Sequence, residues 1–413
     1  MTIFALGECR EHWKLVALQD LCTFRHGGTP SKANADYWKG TIPWISPKDM
    51  GTDSVANAQD RITIDAVKNS SASLVPADTV LVVVRSGILA RRFPVAVIED
   101  HVTFNQDIKA ILPDPEKLNS EFLRYVLKFL EGKVIDEGVK RGATVHSIRS
   151  GFIESLEIPL PSLPEQQRIA QALKTKLAAV EQARRASVAR LEAVRTLPAA
   201  YLRELFESEE ALEWPEFSLG DLARIVQNGI YKKAEFYGSG EPFIRMYNVD
   251  NATWRLNQNA LASVVLADDE KEKFRLDARD LLVSRVNSYE QIGKSAIVSN
   301  AEEGYFFENM LIRLRLVPEA DPLFMVQQLA TRGVRDALRG VAKRAIGQVS
   351  VNSSDLRNLK VRLPDIKRQR DIALMLDARI DSATSLRALV SEELSGLGDI
   401  PCALLRQAFS GAL

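Results

Sequence analysis

The chain has 413 residues, of which 46% are hydrophobic and 26% are charged, so its composition is globular but its length exceeds one typical domain. Its 54 Lys and Arg residues balance 54 Asp and Glu residues, which excludes a strong overall charge that would attract nucleic acid or an anionic membrane. Three cysteines without a CxxC pair and four histidines leave little material for a metal site, and no apolar run suits a signal peptide or a membrane span. We therefore expect a cytoplasmic protein of two or more domains that has no membrane partner and meets charged partners through local patches.

The sequence repeats itself once, at about half of its length. The segment Trp13-Lys-Leu-Val-Ala-Leu-Gln-Asp-Leu21 recurs as Trp214-Pro-Glu-Phe-Ser-Leu-Gly-Asp-Leu222. Further matches are Gly28 with Gly229, Pro43-Trp44-Ile45 with Pro242-Phe243-Ile244, Arg85-Ser86 with the segment from Arg285 to Asn287-Ser288, Leu160-Pro161 with Leu363-Pro364, and Phe206 with Phe409. A repeat of this kind predicts two copies of one structural module.

After each Leu-Pro pair, apolar residues recur at steps of three and four, which is typical of a long helix with one apolar face. These residues are Ile169, Leu173, Leu177, Leu191, Ile372, Leu376, Ile380 and Leu394. Polar residues interrupt both apolar faces, so neither helix can bury its face alone in water. We therefore expect the two helices to bury these faces against each other as an antiparallel coiled-coil spacer of about 50 Å. The alternative is that each helix packs only on its own module. Pro198 and Pro401 are expected to break or kink the helices near their ends.

The sequence between the helices contains short apolar runs, such as residues 80–84, interrupted by Gly, Pro and Asn. This pattern favours modules that mix strands and helices. We therefore predict an α+β fold with two pseudo-repeated globular α/β modules, at residues 1–161 and 214–364. Two long helical regions, at residues 162–213 and 365–413, are predicted to separate them.

The sequence shows no motif for catalysis or cofactor binding. Gly293-Lys294-Ser295 resembles the end of a phosphate-binding loop, but Ser288 stands where such a loop requires glycine. The Asn-Pro-Pro-aromatic segment of amino-methyltransferases and a Gly-x-Gly-x-x-Gly after a strand are both missing. Asp114 and Glu116 alternate with prolines, which favours a turn over a nuclease site. We expect this chain to carry no catalytic residue, cofactor or metal ion.

Four segments carry a resemblance to a known family. They are the opening Trp-x4-Leu-x-Asp-Leu, residues 27–32 (Gly-Gly-Thr-Pro-Ser-Lys), residues 37–46 (Tyr-Trp-Lys-Gly-Thr-Ile-Pro-Trp-Ile-Ser) and residues 158–169 (Ile-Pro-Leu-Pro-Ser-Leu-Pro-Glu-Gln-Gln-Arg-Ile). With them the chain resembles, over essentially its whole length, the specificity (S) subunit of type I restriction-modification systems. The second half departs from the pattern, since residues 364–370 lack the Pro-Glu-Gln of the first copy and Asn-Gly-Ile-Tyr at 228–231 replaces Gly-Gly-Thr-Pro.

The resemblance implies a non-catalytic subunit of a DNA adenine methyltransferase and endonuclease complex. Each module would be a target-recognition domain that reads one half of a bipartite target in double-stranded DNA. The helices would set the spacing of the two halves and dock two methyltransferase subunits, and restriction/translocase subunits would join that core. S-adenosylmethionine, ATP and Mg are expected on these partner subunits.

Polar and basic residues that follow glycines or apolar strands are the candidates for DNA contact, because such side chains bind phosphates and base edges. In the first half they are Thr29, Ser31, Lys32, Arg85, Ser86, Arg91, Arg92, Lys140 and Arg141. In the second half they are Tyr231, Lys232, Lys233, Arg245, Asn248, Arg285, Asn287, Ser288, Lys343 and Arg344. The two Lys-Arg pairs are expected in glycine-containing loops. A plain glycine turn, a solvated hairpin end or a solvated charged face would also explain several of these residues.

Two other functions fit parts of the sequence. The first is the recognition fragment of a single-chain methyltransferase and nuclease, although 413 residues leave no room for the catalytic half. The second is a helical adaptor that binds only proteins, which the neutral charge of the chain permits but its duplicated basic segments disfavour. Salt-dependent DNA binding distinguishes these functions.

Overall fold

The computed structural model describes residues 13–51, 55, 58–250, 252–345 and 347–410. The chain divides into two compact units, of which the first comprises Met1–Ala186 with Leu394–Leu413 and the second comprises Ser187–Glu393. Each unit contains one globular head, which we call the first head (residues 13–161) and the second head (residues 214–364). Each unit also contains a segment of both long helices, so the unit boundaries fall inside helices.

The first head is built from short strands and short helices. Its strands are β1 (Lys14–Ala17), β2 (Cys22–His26), β3 (Ile42–Ile45), β4 (Asp60–Ile62), β5 (Val80–Val83), β6 (Arg85–Ser86), β7 (Val95–Val97), β8 (Thr103–Phe104), β9 (Ile108–Pro113), β10 (Val139–Lys140), β11 (His146–Ile148) and β12 (Glu157–Leu160). Its helices are α1 (Ile64–Lys68), α2 (Ser120–Phe129) and α3 (Glu131–Lys133). The strands form a four-stranded sheet β2-β9-β5-β7, three-stranded sheets β4-β3-β8 and β10-β11-β6, and the pair β1-β12.

The long helix α4 (Leu163–Phe206) and the short helix α5 (Glu209–Glu213) lead to the second head. Its strands are β13 (Glu216–Ser218), β14 (Ala223–Asn228), β15 (Tyr237–Ile244), β16 (Ala262–Val264), β17 (Leu281–Ser284), β18 (Val286–Asn287), β19 (Ser295–Ile297), β20 (Phe306–Phe307), β21 (Leu311–Leu316), β22 (Lys343–Ala345), β23 (Gln348–Ser350) and β24 (Lys360–Arg362). Its helices are α6 (Asp268–Phe274), α7 (Pro322–Leu329), α8 (Arg332–Val341) and α9 (Ser353–Arg357), followed by the long helix α10 (Ile366–Ser410). The sheets are β14-β21-β17-β19, β16-β15-β20, β18-β23-β22 and the pair β13-β24.

The two heads have the same sheet topology, strand for strand. Among the described strands, each head contains a parallel pair, in which Trp44 of β3 lies opposite Thr103 of β8 and Phe243 of β15 lies opposite Phe306 of β20. The central strands β5 and β17 are buried at every position, as expected for short and nearly apolar runs. This duplication confirms the predicted α+β fold with two pseudo-repeated modules.

Pro198 and Pro401 do not break the long helices, so of the two predicted effects, a break or a kink, the break does not occur. α4 runs on to Phe206 and α10 to Ser410, with each proline inside the helix. A proline removes one backbone hydrogen bond, but the turns that follow are stabilised by apolar side chains packed into a head, such as Leu202 and Phe409. None of the described helices has an apolar stretch that would cross a membrane.

In the second unit, α4 and α10 lie side by side in antiparallel orientation. Arg190 of α4 pairs with Glu393 of α10 at 3.1 Å, and Glu204, further along α4, pairs with Arg379 at 3.3 Å. Residue numbers therefore rise on one helix as they fall on the other. The predicted seam residues of both helices are buried or half-buried. Pairing removes the interrupted apolar faces from water, which neither helix would achieve alone.

Each head also packs against the C-terminal end of a long helix. In the first unit, the ring centre of Phe409 of α10 lies 5.7 Å from that of Phe122 of α2. In the second unit, the ring centre of Phe206 of α4 lies 5.2 Å from that of Phe324 of α7. The two contacts are equivalent, because Phe206 and Phe409 match in the repeat. Helix pairing and packing on the heads, which are alternatives from the sequence, therefore occur together.

A buried glutamine joins the first head to the start of α4. Gln166 has no exposed surface, and its Oε1 accepts a hydrogen bond from the backbone N–H of Asn119 at 2.8 Å. Its Nε2 donates to the backbone carbonyls of Lys117 at 2.9 Å and Pro161 at 3.0 Å. One side chain thereby satisfies backbone groups of both the head and the turn that precedes the helix.

Gln369 makes the same set of bonds at the start of α10. Its Oε1 accepts from the backbone N–H of Asp321 at 2.8 Å, and its Nε2 donates to the carbonyls of Glu319 at 3.1 Å and Pro364 at 2.8 Å. The side chain is 1% exposed. Gln369 follows Pro364 at the same interval as Gln166 follows Pro161, so the repeat continues through the segment that lacks the Pro-Glu-Gln motif.

Replacing Gln166 by leucine should destabilise the first unit by about 2 kcal/mol, because backbone groups lose their partner and no water replaces it. The matched control is Gln167→Leu, which changes the exposed neighbour on the same turn and should cost less than about 0.5 kcal/mol. Denaturant unfolding of both variants measures the difference. Equal losses would contradict a structural role for the buried amide.

Leu376→Asp should destabilise the second unit by about 3 kcal/mol or more, since Leu376 has no exposed surface and a carboxylate would be buried without a partner. Leu374→Asp is the control, because Leu374 lies two residues away on α10 and is 65% exposed. Denaturant unfolding should separate the two variants clearly. A similar midpoint for both would show that the seam tolerates charge.

Candidate nucleic-acid interface

The predicted residues Arg85 and Lys140 of the first head meet on the sheet β10-β11-β6. Ser147 of β11 lies opposite Arg85 of β6 on one side and opposite Lys140 of β10 on the other. Both basic side chains are exposed, and the exposed Arg141 follows directly after β10. Strand pairing thus places residues that are distant in sequence on one small surface.

The second head repeats this arrangement on β18-β23-β22. Ser350 of β23, the counterpart of Ser147, lies opposite Val286 of β18 on one side and Lys343 of β22 on the other. The preceding Val349 lies between Asn287 and Arg344. Arg344 and the preceding Lys343 are both exposed. The prediction that these basic pairs lie in loops is wrong, because Lys140, Lys343 and Arg344 are strand residues. Their backbone hydrogen bonds hold them in register with the neighbouring strands.

The loop after β8 connects the remaining parts of the first surface. Thr29 donates from its hydroxyl to the Oε1 of Gln106 at 2.7 Å, and Arg85 donates from Nε to the Oδ1 of Asp107 at 2.7 Å. The glycine-containing loop and the small sheet therefore meet at residues 105–107. Sequence reasoning missed Gln106 and Asp107, although a polar segment directly after a buried strand was a usable signal.

The equivalent loop of the second head follows β20. The backbone N–H of Ile230 donates to the carbonyl of Phe307 at 2.9 Å, as that of Gly28 does to Phe104. The backbone N–H of Arg285 donates to the carbonyl of Met310 at 2.9 Å, as that of Val84 does to Asp107 at 2.8 Å. Glu308 accepts from the backbone N–H of Met246 at 2.5 Å, and burial raises the pKa of its carboxyl group. Backbone connections are thus shared by the heads, whereas the side chains on the loop differ.

The glycines before this surface serve close packing of backbone on backbone. A Cβ atom on Gly27 would lie 2.3 Å from the carbonyl oxygen of Asn105, and one on Gly229 would lie 2.3 Å from that of Glu308. Gly229 therefore corresponds to Gly27 and not to Gly28, which corrects the sequence alignment of the repeat. The close approach that requires glycine is made by the protein itself, and it fixes where the following loop residues emerge.

The other candidates of the first head lie around this loop. Ser31 and Lys32 are exposed after the glycines, and Thr29 is half-buried. Ser86 accepts a weak hydrogen bond from the backbone two residues later and so begins a short 3-10 turn. Arg91 and Arg92 follow that turn with exposed side chains.

In the second head, the loop after Gly229 carries an aromatic ring and two lysines. Tyr231 is 74% exposed, and Lys233 is also exposed. Lys232 instead is half-buried and pairs with Glu270 at 2.6 Å, which lowers the pKa of the Glu270 carboxyl group. Tyr231 and Lys233 are therefore the members of this loop that are open to a ligand.

Several other candidates use their polar atoms within the second head. Asn248 is 1% exposed, and its side chain accepts from the backbone N–H of Arg245 and donates to a neighbouring carbonyl. Asn287 donates to the Ser284 hydroxyl at 3.2 Å and accepts from the backbone N–H of Ser288. Burial leaves Asn248 no surface for a partner, so we leave it out of the proposed interface.

Tyr289 is an aromatic residue that sequence reasoning missed. Its ring is 43% exposed and lies 5.2 Å from the guanidinium carbon of Arg344 and 5.7 Å from that of Arg339. Two cations at this distance from one ring form cation–π contacts that order all three side chains. The second head therefore presents an aromatic and basic cluster beside β22.

The described residues provide no group of three or more His, Cys, Asp and Glu side chains placed to hold a metal ion. Burial raises the pKa of the Cys22 thiol to about 12, so this group is protonated at neutral pH. What the two surfaces offer are guanidinium, ammonium, amide, hydroxyl and aromatic groups. This is the set of groups that proteins use to contact phosphates and base edges.

A family model for the type I restriction modification DNA specificity domain matches residues 10–190 and again residues 211–394. The EcoR124I/EcoR124II specificity subunit of Escherichia coli is 38% identical over 172 residues, which cover 41% of this chain and 42% of that protein. The EcoKI specificity subunit of Escherichia coli K12 is 24% identical over 312 residues, covering 72% of this chain and 67% of that protein. The chain thus spans less than half of the first relative and about two thirds of the second.

Solved structures show the same fold. The HsdS subunit from Thermoanaerobacter tengcongensis superimposes with a TM-score of 0.64 at 18% identity, covering 98% of both chains. A chain from a structure on assembly and conformational transition of the type I R-M system gives a TM-score of 0.72 at 18% identity, covering 98% of this chain and 99% of that one. With both halves matched by the family model and the fold shared over nearly the full length, the chain belongs to the type I restriction-modification DNA specificity family.

Proposed function

We propose that this chain is the DNA specificity subunit of a type I restriction-modification complex. Each head reads one half of a bipartite target in double-stranded DNA. The observation that supports this most directly is the duplicated surface, in which the same three-stranded sheet, post-strand loop and glycine-containing loop recur in both heads. Two equivalent surfaces with different side chains are what two half-sites of different sequence require.

The two classes of side chain on these surfaces suit different parts of the DNA. Exposed cations that have no charged partner among the described residues, such as Arg91, Arg92 and Lys140, suit phosphate oxygens, which give affinity without reading sequence. Side chains held in place by a neighbour suit base edges, since sequence reading requires a defined geometry. Because the net charge of the chain is zero, these local cations supply the attraction to DNA.

The paired helices serve as the spacer and as the docking site for two methyltransferase subunits. α10 carries large apolar side chains that are open in this chain, among them Leu374 at 65% and Leu389 at 63% exposure. Exposed apolar residues on a helix favour a protein partner. S-adenosylmethionine, ATP and Mg belong to the methyltransferase and restriction/translocase subunits in this proposal, and the complex works in the cytoplasm with its DNA.

Exchanging residues 214–364 for the equivalent module of a relative should change one half of the methylated motif and leave the other half and the spacer unchanged. The reason is that the exchanged segment contains all described strands of the second head and none of α4 or α10. Sequencing of methylated adenines in cells that carry the complex measures both halves. A change in both half-sites would contradict separate reading by the two heads.

The purified chain alone should neither methylate nor cleave DNA, because its surfaces carry binding groups and no catalytic constellation was recognised in its sequence. Adding the methyltransferase subunits should restore methylation at a bipartite site. Transfer of labelled methyl groups to plasmid DNA measures both states. Methyl transfer by the partner-free chain would overturn the assignment.

A further inference from the structure

Among the predicted DNA-contacting cations of the first head, Arg85 is the one that pairs with a carboxylate of the described residues. Its Nε donates to Asp107 Oδ1 at 2.7 Å, and its side chain is 55% exposed while that of Asp107 is 21% exposed. This is the one partner of the Arg85 side chain among the described residues, so both Nη groups are open to a ligand. The guanidinium is therefore held in one orientation through Nε, while its two Nη groups remain available to a ligand.

Asp107 is held in place by hydrogen bonds that connect it to a buried strand. Its Oδ2 accepts from Asn105 Nδ2 at 3.1 Å, and its backbone N–H donates to Asn105 Oδ1 at 3.0 Å. Asn105 is 7% exposed, and its backbone N–H donates to the carbonyl of Ile45 in β3 at 2.9 Å. A continuous series of hydrogen bonds thus runs from a buried strand to the guanidinium of Arg85.

The held guanidinium borders an open cleft. The cleft has a volume of about 590 Å³, and Arg85 and Asp107 line it together with Pro47, Ser86, Val145 and other residues of the small sheet. Its polar and apolar lining suits the edge of a base pair, which presents both hydrogen-bonding groups and carbon surface in the major groove.

We propose that Arg85 reads a guanine in the half-site of the first head, donating from its two Nη groups to O6 and N7, and that Asp107 is the positioning residue for this contact. The proposal rests on the DNA-reading function proposed above. Guanine is the base that presents two acceptors side by side in the major groove, which matches the planar fork of an arginine.

The charge of the pair argues against a phosphate as the ligand. Asp107 neutralises Arg85 at 2.7 Å and would repel a phosphate placed at the same guanidinium. A neutral guanine edge suffers no such repulsion and gains from the fixed orientation. A phosphate contact would be served as well by an exposed cation that pairs with no described carboxylate, such as Arg91 or Arg92.

The described residues of the second head contain no arginine–carboxylate pair at the equivalent position. Val286 lies opposite Ser350 as Arg85 lies opposite Ser147, so Val286, and not Arg285 as the sequence alignment predicted, takes the place of Arg85. Met310 takes the place of Asp107. Arg285 takes the place of Val84, and its nearest acceptor among the described residues is the carbonyl of Asn309, 3.5 Å from Nη1. Arg285 is half-buried, and its Nε is buried with no hydrogen-bond partner among the described residues. Arg285 is therefore turned toward its own head, and we expect the guanine contact in the first half-site alone.

The test uses the complex with its methyltransferase subunits and a duplex that contains the target mapped by methylated-adenine sequencing. Each guanine of the first half-site is replaced singly by 7-deazaguanine, which lacks the N7 acceptor but keeps Watson–Crick pairing. One position should weaken binding by about 5-fold or more in the wild-type complex. In the Arg85→Gln complex the same replacement should have no effect, and any base should be tolerated there.

Asp107→Asn separates positioning from general stability. It removes the negative charge beside Arg85, so binding to unrelated duplex should stay equal or become tighter, while the preference for guanine at that one position falls several-fold. If Asp107 had only a structural role, its substitution would weaken both kinds of binding and lower the unfolding midpoint. An unchanged guanine preference in Asp107→Asn would overturn the positioning role.

Arg91→Gln is the matched control, because Arg91 is an exposed arginine of the same head without a holding carboxylate among the described residues. It should weaken binding to all duplexes alike and leave the 7-deazaguanine effect intact. If no guanine occurs in the first half-site, or if Arg85→Gln behaves like Arg91→Gln, the guanine contact is refuted. Failure of the DNA-reading function looks different, since the wild-type complex would then show no sequence preference at all.

Discussion

Each head depends on one buried side-chain amide at the point where a long helix begins. Gln166 and Gln369 satisfy backbone groups that belong to the head and to the turn before the helix. A buried amide tolerates little displacement, because a shift of an ångström leaves polar groups without partners. The contact therefore ties each head to its helix in one orientation, and the position of every surface loop relative to that helix follows from it.

On this shared support the two heads differ where they face a ligand. The strands, their order and the backbone hydrogen bonds of the post-strand loop are duplicated. The side chains at the loop are not, since Asn105 and Asp107 of the first head are replaced by Glu308 and Met310 of the second. Backbone geometry is kept by the core and the glycines, so surface side chains can change without cost to the fold.

Much of the fold follows from the sequence alone, since the repeat and the apolar faces at helical spacing lead to two α/β heads and two long paired helices. The effect of the prolines does not follow, because a helix interrupted at Pro198 is stabilised by residues such as Leu202 that pack on a distant part of the chain. The role of Gln369 also escapes a motif search, since its neighbours differ from those of Gln166 while its hydrogen bonds are the same.

The sequence by itself determined the duplication, the segments that carry polar residues and the absence of a net charge, because these depend on residue type and spacing. Only the tertiary structure decided which of those residues share a surface. Strand pairing brings Arg85 to Ser147 and Lys140, and the post-strand loop brings Asp107 to Arg85. The tertiary structure also showed that Asn248, a candidate from the sequence, is buried. The physical reason is that long-range pairing and burial set the direction of a side chain, and neither is encoded in the local sequence.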